Sequence, residues 1–180
     1  MDNKEREKFD YVMDVVLSHE GGLSRHKDDP GGTTNYGISL RLLKDAGIDT
    51  NGDGKSNEND IIEMSREKAV GIYKTLWWDP YGYNRIEDKK ICAKIMDASI
   101  NMGANASHKI AQRAVNRIAK TKISVDGLLG RATISTINTL NVNQLMDALR
   151  LEMSMYYDRL ISKNPALEAF KNGWKKRAAW

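Results

Sequence analysis

The residues of this chain best suited to chemistry are two carboxylates and two hydroxyls gathered in the run His19-Glu20-Gly21-Gly22-Leu23-Ser24-Arg25-His26-Lys27-Asp28-Asp29-Pro30-Gly31-Gly32-Thr33-Thr34-Asn35-Tyr36-Gly37-Ile38. Glu20 stands before a pair of glycines. Asp29 lies on a Gly/Pro-rich turn able to fold back over it, and Thr34 and Tyr36 supply hydroxyls beyond. Cleaving a glycosidic bond needs such a set, because one carboxyl must deliver a proton while a second group handles water or positive charge.

The element before Glu20 favours it as the proton donor. Phe9, Val12, Met13, Val16 and Leu17 recur at three- and four-residue spacing, which predicts an amphipathic helix from about Arg6 to Ser18, stopped by Gly21 and Gly22. A carboxyl at that end meets the negative pole of the helix dipole, and an apolar cleft wall would add to the preference for its protonated form. Asp29 on an open turn meets neither penalty, and environments that separate two carboxyls in this way assign acid and base roles. Taken alone, a glutamate at a helix end and an Asp-Pro-Gly-Gly turn are also ordinary surface features.

The wider pattern narrows the choice. Glu-Gly-Gly, six residues, then Asp-Pro-Gly-Gly-x-Thr-Asn-Tyr-Gly-Ile resembles the signature of glycoside hydrolase family 108, the N-acetylmuramidases found among phage endolysins and bacterial homologues once labelled secretion activators. The second half is similar to the domain usually joined to it. Asp126-Gly127-Leu128-Leu129-Gly130-Arg131-Ala132-Thr133 matches that domain's Asp-Gly-x-x-Gly-x-x-Thr motif, and Gly173-Trp174-Lys175-Lys176-Arg177 matches its Gly-Trp-x-x-Arg ending. The resemblance runs in order over nearly the whole chain. It implies Glu20 as catalytic acid with Asp29 and Thr34 as companions; Asp29 directly precedes the proline as in the family pattern, whereas Asp28 does not. The broader phage-type lysozymes carry one more residue between Asp and Thr, so the group that handles water stays open among Asp29, Thr34 and Tyr36. Asp97 and Asn101 match the family's Asp-x-x-x-Asn pattern, as cleft-lining or helix-capping groups.

Helical periods recur over Leu40 to Ala46, Asp60 to Trp77, Ile91 to Met102, Ala106 to Lys120, Thr133 to Leu140 and Asn143 to Ser162, with a short β ribbon placed around Leu23 to Ile38. The expectation is a mainly α, lysozyme-like fold with at most a small ribbon. Two modules are expected, a muramidase module over 1–102 and a peptidoglycan-binding module over 103–180. They would pack as one body, because Gly103-Ala104-Asn105 is too short for a linker.

At 180 residues the chain can bury a core without staples, and its single cysteine, Cys92, excludes an internal disulfide. The charged start, Met-Asp-Asn-Lys-Glu-Arg-Glu-Lys, carries no export signal, and no apolar run reaches membrane-spanning length. Synthesis in a host cytoplasm, action on the wall after release, and a monomeric state are expected. The net charge of +4, concentrated near Lys171, Lys175, Lys176 and Arg177, suits an anionic polymer. Charge alone would suit nucleic acid, an anionic membrane face or the peptide carboxylates of a wall; no nucleic-acid recognition motif accompanies it, a solvated basic tail is the plain alternative, and the family resemblance implies peptidoglycan as the partner.

A second feature lies apart from the carboxylates. Asp49, Asn51, Asp53, Asn57 and Asp60 occupy positions one, three, five, nine and twelve of a loop with Gly54 at six, and Lys55 at seven would offer a backbone carbonyl. This is EF-hand spacing, and Asp at twelve makes it similar to dockerin loops, so Ca²⁺ is the expected ligand; the alternative is an Asn/Gly/Asp-rich surface turn. Among the aromatics, Trp77 continues the buried stripe through Tyr73, while Trp78 reads either as the floor of a sugar subsite or as core. Trp174 and Trp180 read as packing anchors. His19, His26, His108 and Cys92 fit no zinc-ligand spacing, and Cys92 in an apolar helical run is a poor nucleophile.

The activity the resemblance implies is hydrolysis of the β-1,4 bond between N-acetylmuramic acid and N-acetylglucosamine by a phage-type endolysin. A lytic transglycosylase and a non-catalytic wall-binding or secretion-accessory module are the alternatives.

Overall fold

Phe9, Val12, Met13 and Val16 line one face of helix α1, Asn3–His19, and all four are buried. The computed structural model describes residues 1–20, 22–24 and 32–180. It divides into two compact units, one of Met13–Pro80 and one of Met1–Val12 with Tyr81–Trp180.

In the unit of Met13–Pro80, strands β1 (Thr34–Asn35) and β2 (Ile38–Ser39) form an antiparallel hairpin with Thr34 opposite Ser39 and Asn35 opposite Ile38. Ser24 pairs with Thr34 on the other edge. The turn residues Tyr36 and Gly37 have φ of 49° and 75°; positive φ at both central positions is what a tight I′ hairpin turn requires. Ser39 then caps helix α2, Leu40–Ala46, by accepting the Leu42 N–H, and the helix ends at Gly47 in the left-handed conformation.

The single helix expected from Asp60 to Trp77 is divided. Helix α3 covers Glu58–Ile62, and Ser65 starts helix α4, Arg66–Tyr73, by accepting the Lys68 N–H. A serine hydroxyl at an N-cap competes with continuation of the preceding helix, which periodicity alone does not register. The chain then widens into a π turn, Lys74–Trp78, before the short α5, Asp79–Tyr81.

The loop before α3 is closed from inside. Asp60, with no exposed surface, accepts the Thr50 N–H (2.6 Å), the Thr50 hydroxyl (3.0 Å) and the Asn51 N–H (3.2 Å) on one oxygen and the Asn57 N–H (2.8 Å) on the other. Asn57 completes a capping box on α3. Helix α3 in turn braces the hairpin. Asn35 donates to the Ile61 carbonyl at 3.1 Å, and the Thr33 hydroxyl donates to Glu58 at 3.0 Å.

In the other unit, helices α6 (Lys89–Met102), α7 (Ala104–Ile118), α8 (Arg131–Thr139), α9 (Val142–Lys163) and α10 (Lys171–Ala179) follow in order. Every residue from Ile91 to Ser99 is buried, so α6 is enclosed on all sides and packs on both α7 and α9. The sequence boundary at 102/103 therefore falls inside this unit. Ala98, Ile110, Met153, Tyr157 and Ala178 form its core, with Trp174 stacked on Tyr157 at 4.9 Å.

The basic C-terminal run is a docked helix. Arg177 grips the fully buried Asp97 through two bonds of 3.1 and 3.0 Å. Lys94, also fully buried, donates to the carbonyls of Arg177, Ala178 and Trp180 at 2.9 Å each. Burial pushes its ammonium down to about 7 against the pull of Asp97. The fold is thus mainly α, with one small ribbon among the described residues, as expected. No helix among the described residues is long and apolar enough to cross a membrane.

Two consequences are measurable by denaturant unfolding. Arg177→Ala removes the bidentate partner of a buried carboxylate and should cost about 3–5 kcal/mol, with Arg177→Lys recovering only part. Asp60→Ala should cost about 2–3 kcal/mol through lost charge-assisted bonds. Burial alone would raise the Asp60 carboxyl, but the hydrogen bonds from Asn57, Thr50 and Asn51 outweigh it and hold it below its ordinary value. A lowered folded-state value means the stabilisation is present above the unfolded value of about 4 and is lost as pH falls through the folded one. Asp60→Asn should therefore flatten the acid limb of the stability profile.

Candidate active site

Glu20 lies directly after the last residue of α1 and is half-buried. Its side chain reaches the hairpin turn. A Cβ at Gly37 would stand 2.7 Å from both Cγ and Oε2 of Glu20 and 2.5 Å from the Tyr73 hydroxyl. Three elements therefore converge on one backbone position: the end of α1, the β1–β2 turn, and the last residue of α4. The Tyr73 hydroxyl donates to the Tyr36 carbonyl at 3.0 Å, and Tyr73 itself has no exposed surface.

The other sequence-derived residues are distributed unevenly around this seat. Thr34 sits in β1, paired through its backbone with Ser24, and its hydroxyl donates to the Gly32 carbonyl at 3.3 Å. Tyr36 forms the turn beside Gly37 and offers its carbonyl to Tyr73. Asp28, Asp29 and His26 lie outside the described residues. Tyr73 and Gly37 were missed as site residues because each has an ordinary explanation in sequence, a stripe position in a helix and a turn glycine. Thr33 and Asn35, which tie the hairpin to α3, carried no signal separate from the motif around them.

The aromatic pair is corrected by the structure. Trp78 is fully buried and has no open ring face for a sugar, whereas Trp77 is half-buried and packs against Tyr73 with ring centroids 5.6 Å apart. The reason is the π turn: its extra residue hands the inward position after Tyr73 to Trp78, five residues on, instead of Trp77, four on.

Asn101 and Asp97 belong to the other unit. Asp97 is the buried partner of Arg177, and Asn101 is exposed and accepts the Tyr157 hydroxyl at 2.8 Å. The Asp126–Thr133 motif is folded onto α7. Gln112 donates to Asp126 and to the Leu128 carbonyl and accepts the Gly127 N–H, while His108 donates through Nδ1 to the Gly127 carbonyl and accepts the Tyr83 hydroxyl on Nε2. A carbonyl can only accept, which sets that tautomer. Both ring nitrogens of His108 are engaged within the fold, and burial pushes the Cys92 thiol up to about 12, so the imidazole has no nitrogen open to a substrate and the thiol is a poor nucleophile.

The 49–60 loop supplies the oxygen chemistry a hard cation takes, from Asp49, Asn51, Asp53 and the Lys55 carbonyl. Asp49 and Asp53 are occupied by N–H groups of their own loop: Asp49 accepts from Asn51, Gly52 and Gly54, and Asp53 accepts from Lys55. Both oxygens of Asp60 are likewise engaged. Among the described residues, no group of three or more His, Cys, Asp or Glu side chains is arranged to hold a metal ion. The loop's bracing also runs to the hairpin through α3, which ends at Ile62 short of the Trp77–Trp78 segment.

Comparisons with known proteins bear on the fold and on the family. The solved structure of Brucella abortus SagA is similar over 97% of this chain and 91% of its own, with a TM-score of 0.74 at 22% identity, which establishes the fold alone. No curated protein matches the chain. A predicted peptidoglycan domain matches residues 106–179. The glycosyl hydrolase 108 model matches residues 13–103, a span that contains Glu20, the hairpin and Tyr73, and the chain therefore belongs to the glycosyl hydrolase 108 family.

Proposed function

We propose that this glycoside hydrolase is an N-acetylmuramidase that cleaves the β-1,4 bond between N-acetylmuramic acid and N-acetylglucosamine in bacterial peptidoglycan, with Glu20 as general acid. The observation that carries the reading is the seating of the Glu20 side chain on Gly37, between the end of α1 and the Tyr73 hydroxyl. A side chain wedged between packed elements keeps one orientation toward a leaving oxygen, which general acid catalysis requires. Glu20 would protonate the glycosidic oxygen. Asp29, helped by Thr34 or Tyr36, would position water or shield the oxocarbenium-like centre. The predicted peptidoglycan domain supports the polymer as substrate, as does the basic charge. A phage-endolysin role, with synthesis in a host cytoplasm and release to the wall, follows from the same reading.

The test is digestion of purified peptidoglycan with mass spectrometry of the products. New reducing ends on N-acetylmuramic acid are expected; anhydro-sugars would instead mark a lytic transglycosylase, and no cleavage would mark a binding module. Glu20→Gln should lower the rate about 10²–10⁴-fold with the thermal midpoint unchanged. Asp29→Asn should also slow the reaction, and an unimpaired variant would move the water to Thr34 or Tyr36.

For the 49–60 loop we propose structural calcium binding, supported by the residue spacing and the all-oxygen donor set. A ligand that binds only the folded state raises stability as RT ln(1 + [L]/Kd). Melting curves in calcium and in chelator should differ for the wild type and coincide for Asp49→Ala and Asp53→Ala. Coincident curves for the wild type would leave the loop closed by Asp60 alone.

A further inference from the structure

The π turn of Lys74–Trp78 has no role in the reaction described so far, yet it is the element that sets which tryptophan is fully buried and which stays half-buried. Its defining bond runs from the Asp79 N–H to the Lys74 carbonyl, five residues back. Such insertions are uncommon and cost helix regularity, and they concentrate at functional positions. Here the inserted residue sends Trp78 into the core and leaves Trp77 half-buried, leaning on the Tyr73 ring. The hydroxyl at the other end of that same ring lies at the Gly37 seat of Glu20. Trp77 is thus one tyrosine ring away from the proposed acid, inside the same compact unit. Polar groups flank it: Lys74 pairs with Asp79 at 2.6 Å, and Thr75 is exposed.

We infer that Trp77 is a sugar-binding residue, its half-buried indole receiving the C–H face of an N-acetylated pyranose in the glycan strand, with Tyr73 holding the ring beside Glu20. The chemistry is that of an amphipathic ring: an aromatic face takes the apolar side of a sugar while nearby ammonium, carboxylate and hydroxyl groups meet its polar edge. This inference rests on the peptidoglycan reading above.

The experiment measures turnover of soluble glycan-strand fragments prepared from purified peptidoglycan, together with their binding to the Glu20→Gln protein. Trp77→Ala should raise KM about tenfold with kcat within about twofold, the size expected for one lost ring contact. Trp77→Leu keeps apolar packing on Tyr73 without a flat face, so it should hold the thermal midpoint and still weaken binding in the Glu20→Gln background; Trp77→Phe should recover most of the affinity. Wild-type KM and affinity in the folded Trp77→Leu protein would overturn the inference while leaving the muramidase reading intact. A wild-type protein that neither binds nor cleaves the fragments would overturn both.

Discussion

The hairpin turn lies so close to the Glu20 side chain and the Tyr73 hydroxyl that position 37 has no room for a side chain unless they shift. Any Cβ there would collide with the Glu20 carboxyl and the Tyr73 hydroxyl at once, at separations real side chains do not tolerate. The same residue must also adopt positive φ to close a two-residue turn, so steric and conformational demands select glycine together. The position of Glu20 follows from this contact. So does the role of Tyr73, whose hydroxyl is bonded to the Tyr36 carbonyl and thereby ties α4 to the turn.

The hairpin is too short to hold that position alone, since two residues per strand give few ladder bonds. Its support comes from α3 through Asn35 and Thr33, and α3 is in turn anchored by Asp60, whose carboxylate gathers the loop around it. The 49–60 loop is thus mechanically connected to the candidate active site by a short chain of hydrogen bonds. A buried carboxylate saturated by N–H and hydroxyl donors does locally what a bound cation does by coordination: it fixes the course of a polar loop.

In the other unit, the residues that carry the family resemblance are largely internal fastenings. Arg177 of the Gly-Trp-x-x-Arg ending holds Asp97, Trp174 stacks on Tyr157, and the Asp-Gly-x-x-Gly-x-x-Thr loop is fastened to α7 by Gln112 and His108. A buried Asp–Arg pair repays its desolvation only when both groups are fully bonded, which demands a fixed helix-to-helix geometry. Motif residues of this kind report how the C-terminal helix docks.

The sequence by itself determined the helical class, most helix positions, the hairpin and Glu20 at a helix end, because apolar periodicity, caps and turn glycines act over a few residues. It also carried the family, through a spaced motif. Tertiary structure decided the rest. The period that runs through Ala69, Tyr73 and Trp77 cannot reveal a π insertion, since the extra residue is selected by packing around Tyr73 and Trp78. The basic run at Lys171–Arg177 resembles a solvated tail until Asp97, some eighty residues earlier, is found in front of Arg177. The convergence of Glu20, Gly37 and Tyr73 joins positions far apart in the chain, and only the folded backbone brings a carboxyl, a phenol and a missing side chain to one point.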